Sequence, residues 1–265
     1  MLRLGFFIIL LLGIFSRAEA SRKKKHSPPP PSQPAVEAVE INSNVGNEVI
    51  GKVHLEKLFP PKKVSVTKSL DKCGKEKADE TYVYGASKGL KNVVVWIEGM
   101  ASEKDVKPSY LVLENITCTF VPHVSAAVVG STLEIKNFDP LAHNNHAFLA
   151  SPAFGMLSGP RQDTPENMVT LFNVALPTKG VMVKRKLEKT GLAEIKNDAG
   201  YDWMHAYIRI FDHPYFAVTN EEGEFRIPHV SAGEYDLHSW HEGGGEKAMH
   251  ITVSSSGLNS IDIVY

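Results

Sequence analysis

The chain has 265 residues, is 43% hydrophobic and 22% charged, and carries a formal net charge of -1. That is an ordinary globular balance, long enough for one large or two small domains. Near-neutrality gives no reason to expect nucleic acid as a partner.

The first residues read as an export signal. Arg3 supplies an early positive charge, Gly5 to Phe15 is an apolar run too short to favour a spanning helix, and Ala18-Glu19-Ala20 is an A-x-A cleavage site. The expectation is a signal peptide over 1–20, cleaved after Ala20. The mature chain is then periplasmic or secreted and keeps no transmembrane segment. The rival reading is an uncleaved membrane anchor. Residues 21–44 follow as a disordered tether, with a basic cluster from Arg22 to Lys25 and prolines from Pro28 to Pro34. Polyproline is extended and packs no core.

From Val45 onward short strands recur between turn residues. Val49 to Leu55 alternates with period two. Val93-Val94-Val95-Trp96-Ile97 is continuously apolar, which predicts a strand buried on both faces. Further strands are expected over Thr81 to Tyr84, Tyr110 to Leu113, Thr117 to Val121, Val124 to Val129, Thr132 to Lys136 and Ala147 to Leu149. The series continues through Thr170 to Val174, Val181 to Lys184, Ala193 to Lys196 and Ala206 to Phe211. Tyr215 to Thr219 and Glu224 to Ile227 read as a hairpin whose acidic turn is closed by Gly223. No apolar helical face is sustained beyond about three turns, so the fold class is all-β. The two cysteines, Cys73 and Cys118, favour a disulfide in an exported chain. Two separate buried thiols are the alternative.

One stretch carries chemistry. His143-Asn144-Asn145-His146 follows a strand-like run and the Asp139-Pro140 turn. There is no nucleophile motif and no phosphate loop, and the acids around Asn220 look like a turn. The expectation is therefore a protein that is not an enzyme.

Two regions resemble known families. Thr219, Gly223 and Phe225, then Gly233, Tyr235 and Leu237, have the spacing of a carboxypeptidase regulatory-like domain, a small transthyretin-like β-sandwich. Val49-Ile50-Gly51-Lys52-Val53 resembles the opening strand of the same family. The resemblance implies a discontinuous sandwich over 45–99 and 214–265, with a tandem arrangement as the alternative. The segment 100–213 resembles a cupredoxin-like Greek-key sandwich, of the exported group labelled methylamine utilization or plastocyanin-like. The pieces that match that group, across nearly all of the chain after the tether, are Leu90 to Ile97, Cys118 to Val124, His143 to His146, Trp203 to Tyr207 and Asp212 to Val218.

That resemblance implies a blue-copper centre of one thiolate, two imidazoles and an axial Met. Here the second ligand loop reads Ile195-Lys196-Asn197-Asp198-Ala199-Gly200-Tyr201-Asp202-Trp203-Met204. Asn197 or Asp198 stands for the Cys, Gly200 or Tyr201 for the second His, and Met204 alone is kept. The principal expectation is an exported, non-catalytic binding or structural protein with a degenerate cupredoxin domain and no cofactor. Its partner is an unknown periplasmic or envelope protein, met through the apolar surface of Tyr201 and Trp203. The alternatives are an imidazole site for copper or zinc made by His143, His146 and His205 with Met204, or an electron-transfer cupredoxin. His123 is expected to make a structural hydrogen bond, and His238 and His241 to be structural or surface residues.

Overall fold

A computed structural model describes residues 47–101, 106–150, 168–255 and 258–265. The expected signal peptide and tether lie outside these residues. The chain runs β1 (Asn47–His54), β2 (Lys63–Ser65), one helical turn α1 (Leu70–Cys73), β3 (Glu76–Ala78), β4 (Val94–Ile97), β5 (Tyr110–Ile116) and β6 (Thr119–Val121). It continues through β7 (Val124–Val128), β8 (Thr132–Asn137), β9 (His143–Ala150), β10 (Met168–Leu176), β11 (Met182–Lys186), β12 (Gly191–Lys196) and β13 (His205–Phe211). The last strands are β14 (Phe216–Val218), β15 (Glu224–Val230), β16 (Gly233–His241), β17 (Gly245–Val253) and β18 (Leu258–Val264). The architecture is mostly β, with several sandwich-like sheets, as the strand pattern leads one to expect. Among the described residues no helix is long and apolar enough to cross a membrane.

Four sheets stack face to face, in the orders β15-β1-β18, β14-β4-β16-β17, β10-β9-β12-β13-β7 and β11-β8-β5-β6. Three apolar cores separate them. Val49, Val53, Phe225 and Ile263 of the first sheet pack on Val95, Ile97, Leu237 and Ile251 of the second. Val94 and Trp96 of the second pack on Val124, Leu192, Tyr207 and Phe211 of the third. Ala147, Phe172, Ile195 and Ile208 of the third pack on Leu113, Phe120, Leu133 and Ile135 of the fourth. β4 is thus buried on both faces. Its side chains alternate between two cores because successive residues of a strand point to opposite sides.

The linking core is small, and aromatic groups fill it. The Trp96 and Phe211 rings lie 5.7 Å apart, and the Arg209 guanidinium sits 4.4 Å from the Trp96 ring centre. The Trp96 indole N–H donates to Glu98 at 2.6 Å. The ring face offers the partly buried Arg209 guanidinium a cation–π contact between the two sheets.

β2, α1 and β3 form a flap at one end of the third and fourth sheets. A disulfide joins Cys73 of α1 to Cys118 in the turn between β5 and β6. Val66, Cys73 and Cys118 all enter the same core as Leu113 and Ile195. Such a bridge is consistent with an oxidising compartment.

Two local expectations are corrected. β14 and β15 do not pair with each other: β14 adds antiparallel to β4, and β15 to β1. The Asn220–Gly223 turn is present, with the Gly223 N–H donating to the Asn220 carbonyl, but it carries the chain from one sheet to the next. Phe225 reaches the core only from the β1 sheet, and local alternation does not record which sheet a strand joins. Thr81 to Tyr84 is a turn whose only ladder contact is an isolated bridge from Tyr84 to Leu90.

Gly223 has φ +77°, and a Cβ there would lie 2.2 Å from the Val53 carbonyl oxygen. Gly245 has a similar φ of +72° with nothing within 4 Å. G245A should therefore cost about 1 kcal/mol, the left-handed penalty alone. G223A should cost roughly 3 kcal/mol or more, because overpacking against backbone is added. Urea denaturation of both variants measures the difference, and equal losses would show that the close approach is unimportant.

Candidate metal centre

Three side chains distant in sequence meet where the second and third sheets part. His123 lies in the two-residue link between β6 and β7, where the chain crosses from the fourth sheet to the third. The Tyr207 N–H donates to its carbonyl at 2.8 Å and fixes that corner. His205 opens β13, opposite Lys196 of β12. Glu242 follows the last residue of β16, in the turn to β17.

The Glu242 carboxylate lies between two imidazoles. His123 Nε2 is 2.6 Å from its Oε2, and His205 Nε2 is 3.0 Å from its Oε1. The Tyr207 hydroxyl donates to Oε1 at 3.3 Å. The ligand-capable atoms of His123, His205 and Glu242 all lie within 4.8 Å of one another. His123 Nδ1 makes no hydrogen bond and is 3.8 Å from Glu80 Oε2. A cleft of about 400 Å³, lined by Glu194, Lys196, Asp202, His205, Tyr207 and Glu242, leads to the group.

The electrostatics follow from burial and pairing. Burial would raise the Glu242 carboxyl, but hydrogen bonds and charge from His123 and His205 outweigh it and hold the pKa down to about 2. Burial would lower His205, but Glu242 raises it above its usual value. Burial raises Glu80, against the nearby His123 and His205. Next in sequence, His241 is 1% exposed. Burial pushes it down to about 4, so it is a neutral core residue and not a surface one.

Two imidazoles and a carboxylate are a donor set that suits Zn(II) or Cu(II). The Nε2 protons now shared with Glu242 lie where a cation would sit. A metal would hold the two Nε2 atoms and the carboxylate, with His123 Nδ1–H turned toward Glu80. A carboxylate behind a ligating imidazole orients it and raises its basicity.

The site expected from His143, His146 and His205 does not form. His143 and His146 are three apart on β9, and an odd separation along a strand puts them on opposite faces. His143 is 2% exposed and points into the core. His146 points outward, 2.6 Å from Asp198 and 3.1 Å from Thr170 Oγ1. His205 and Met204 likewise diverge: Met204 enters the core of the third and fourth sheets, and His205 faces Glu242.

The residues at the blue-copper positions do not fit copper. His143 Nε2 donates to Asp139 Oδ2 at 2.9 Å, and the Asn197 amide donates to His143 Nδ1 at 3.1 Å. The same amide nitrogen lies 3.7 Å from Met204 Sδ. Its two hydrogens thus fill the space between the two expected ligands. Asn197, not Asp198, lies between His143 and Met204. Tyr201, not Gly200, faces His143, with ring centres 4.9 Å apart. Both cysteines are bridged, so no thiolate is present. Nor do Tyr201 and Trp203 offer a free apolar surface. Tyr201 is 3% exposed beneath the flap, its hydroxyl 3.2 Å from Ser69 Oγ. The Trp203 indole N–H donates to the Cys118 carbonyl.

His123 and Glu242 were not legible as site residues. They stand 119 positions apart, and no local spacing links Pro122-His123 to Trp240-His241-Glu242.

The model of polysaccharide lyase family 4, domain II, matches residues 186–260. No curated protein sequence matches the chain. Among solved structures it is similar to a purple cupredoxin from Nitrosopumilus maritimus, at 16% identity and TM-score 0.28, over 38% of this chain and 98% of that one. It is also similar to a proline-to-alanine mutant of amicyanin in its oxidised state, at 17% identity and TM-score 0.28, over 44% of this chain and 97% of that one. A copper-containing nitrite reductase from Thermus scotoductus SA-01 matches at 17% identity and TM-score 0.27, over 42% of this chain and 24% of that one.

The cited shifts set an acid limit on stability. Between pH 6.5 and about 4 the unfolded chain protonates His241 and the folded chain does not, so stability falls as pH falls. Glu242 has a depressed folded pKa, so its contribution is full above its usual 4.5 and is lost toward about 2. The lower limb is worth about 3 kcal/mol at 1.36 kcal/mol per unit. E242Q should flatten that limb while H241N flattens the upper one, read from urea denaturation at stepped pH. An unchanged profile in E242Q would contradict the pairing.

Proposed function

We propose that this is an exported, non-catalytic metal-binding protein that holds one Zn(II) or Cu(II) through His123, His205 and Glu242. The observation that carries the reading is the convergence of three ligand-capable groups within 4.8 Å. They meet at the mouth of a cleft, with Glu80 placed behind His123. This follows the alternative reading of the sequence, an imidazole site, and not its principal expectation of a protein without a cofactor; of the residues named for that alternative only His205 takes part. A working electron-transfer cupredoxin is disfavoured by the Asn197 amide between His143 and Met204.

We also read the chain as a cupredoxin-like sandwich over 100–213, joined to a regulatory-like sandwich built from 45–99 and 214–265. What supports the division is the core shared by Val49, Val95, Phe225, Leu237 and Ile263, whose members come from both ends of the chain. The flap crosses it, since Val66 and Cys73 pack with the other core.

Chelator-stripped protein should bind one equivalent of Zn(II) or Cu(II) in calorimetric titration. Affinity should weaken as pH falls, because the metal must displace the His205 proton that Glu242 holds. The Cu(II) form should lack the intense thiolate absorption of a blue site. H205N and E242Q should each weaken binding at least tenfold, and E80Q by about 10–100-fold, the usual range for an outer-shell partner. H146N should bind as the parent does. Parental affinity in both H205N and E242Q would remove the site.

A further inference from the structure

A second group of ligand atoms lies at the other end of the third and fourth sheets. Cys118 Sγ, an Asp139 carboxylate oxygen and a His143 ring nitrogen are mutually within 4.8 Å, and all three residues are buried. Asp139 is the hub. Its Oδ1 accepts from the Thr117 N–H at 2.6 Å, and its Oδ2 from the Cys118 N–H at 2.7 Å and His143 Nε2 at 2.9 Å. The turn of Thr117 and Cys118, both at positive φ (51° and 56°), aims these two N–H groups at one carboxylate. The three residues are thus held by the β5–β6 turn, the link after β8 and the first position of β9. What preorganises the three groups is the set of hydrogen bonds that converge on Asp139. Only the bond to Cys73 stops Cys118 from serving as a thiolate donor.

The far end of that bond is on the flap. Leu70 of α1 is 52% exposed. Apart from the disulfide and the packing of Val66, the flap is tied down by polar contacts: Lys68 to the Ala199 carbonyl, Ser69 to Tyr201, and Lys77 to the Thr117 carbonyl. Cys118 is fixed by the bond from its N–H to Asp139, whereas Cys73 belongs to the short α1 turn of the flap, though its side chain is also buried.

We propose that reduction of the Cys73–Cys118 disulfide creates a second metal site, in which Cys118 Sγ, His143 Nε2 and Asp139 Oδ2 hold a borderline-soft divalent cation of the Zn(II) class. A dithiol reductant supplies two electrons and becomes a disulfide. The protein S–S bond breaks and each sulfur takes a proton. Metal entry then displaces the Cys118 thiol proton. The His143 proton moves from Nε2 to Nδ1, and the Asn197 amide turns over so that its oxygen accepts it, giving up the bond that this oxygen now takes from the Ala199 N–H and the contact of its nitrogen with Met204 Sδ. The oxidised chain has the carboxylate and the imidazole but no third donor, so occupancy follows the thiol–disulfide poise. A Cys-His-carboxylate set differs from the first site in carrying sulfur, and the two are therefore read separately by spectroscopy.

Co(II) is the probe, titrated anaerobically into the mature chain. C73S frees Cys118 without a reductant. It should take up one Co(II) more than the oxidised parent and show a thiolate-to-Co(II) charge-transfer band in the near ultraviolet. C73S/H143N and C73S/D139N should lose the band and the extra equivalent, and C118S should never show them. The parent treated with a phosphine reductant should behave as C73S does, which decides the matter if C73S fails to fold. No band in reduced parent would overturn the proposal. So would a band that survives in C73S/H143N, because a thiolate binding elsewhere would account for it. The first site contains no sulfur, so its failure or success leaves this readout unchanged.

Discussion

Everything in this fold depends on β4 having no solvent face. A strand whose residues are all apolar must be covered twice, and here two sheets cover it through two separate cores. The linking core is thin, and its larger members are Trp96, Tyr207 and Phe211. Large rings bury much apolar area from few positions, so a four-stranded sheet can be held against a five-stranded one without an extensive interface. Where that core ends the sheets part, and the polar groups at the edge face each other across the gap.

Glu242 stands at that edge. A carboxylate taken out of water must be paired or protonated. The fold supplies two imidazoles and a phenol to one carboxylate, which stabilises its charge and in turn raises His205. His123 and His205 sit on the third sheet's strands and their entry, and Glu242 on a hairpin of the second. The ion cluster therefore ties together the same two layers that Trp96 joins by packing. A structural lock and a preorganised ligand set need the same geometry here. The unsatisfied His123 Nδ1 facing Glu80 is the detail that a lock alone does not require.

At the other end of the third and fourth sheets the loop after β12 is closed into the core. The Asn197 amide bridges an imidazole and a thioether, Tyr201 closes over them, and the flap covers Tyr201. A neutral amide satisfies both donors without a cation and without a buried charge. Asp139 is the carboxylate that His143 is paired with. Burial works against its charge, and the hydrogen bond from His143 and those from the Cys118 and Thr117 N–H groups outweigh it, holding its pKa below the usual carboxylate range.

The sequence by itself determined the all-β class and the double burial of Val93 to Ile97, and it favoured the cysteine pairing. Alternation, continuous apolar runs and an even cysteine count are local or compositional signals. The family resemblance read from the sequence left Asn197 and Asp198 as alternatives at the expected thiolate position. Tertiary structure alone set Asn197 between His143 and Met204, put β14 and β15 in different sheets, and turned His143 and His146 to opposite faces of β9. It alone brought His123 to Glu242. Side-chain direction along a strand is set by a period of two, which an i, i+3 motif conceals. Contacts between sheets are made across more than a hundred residues of chain, where no spacing rule operates.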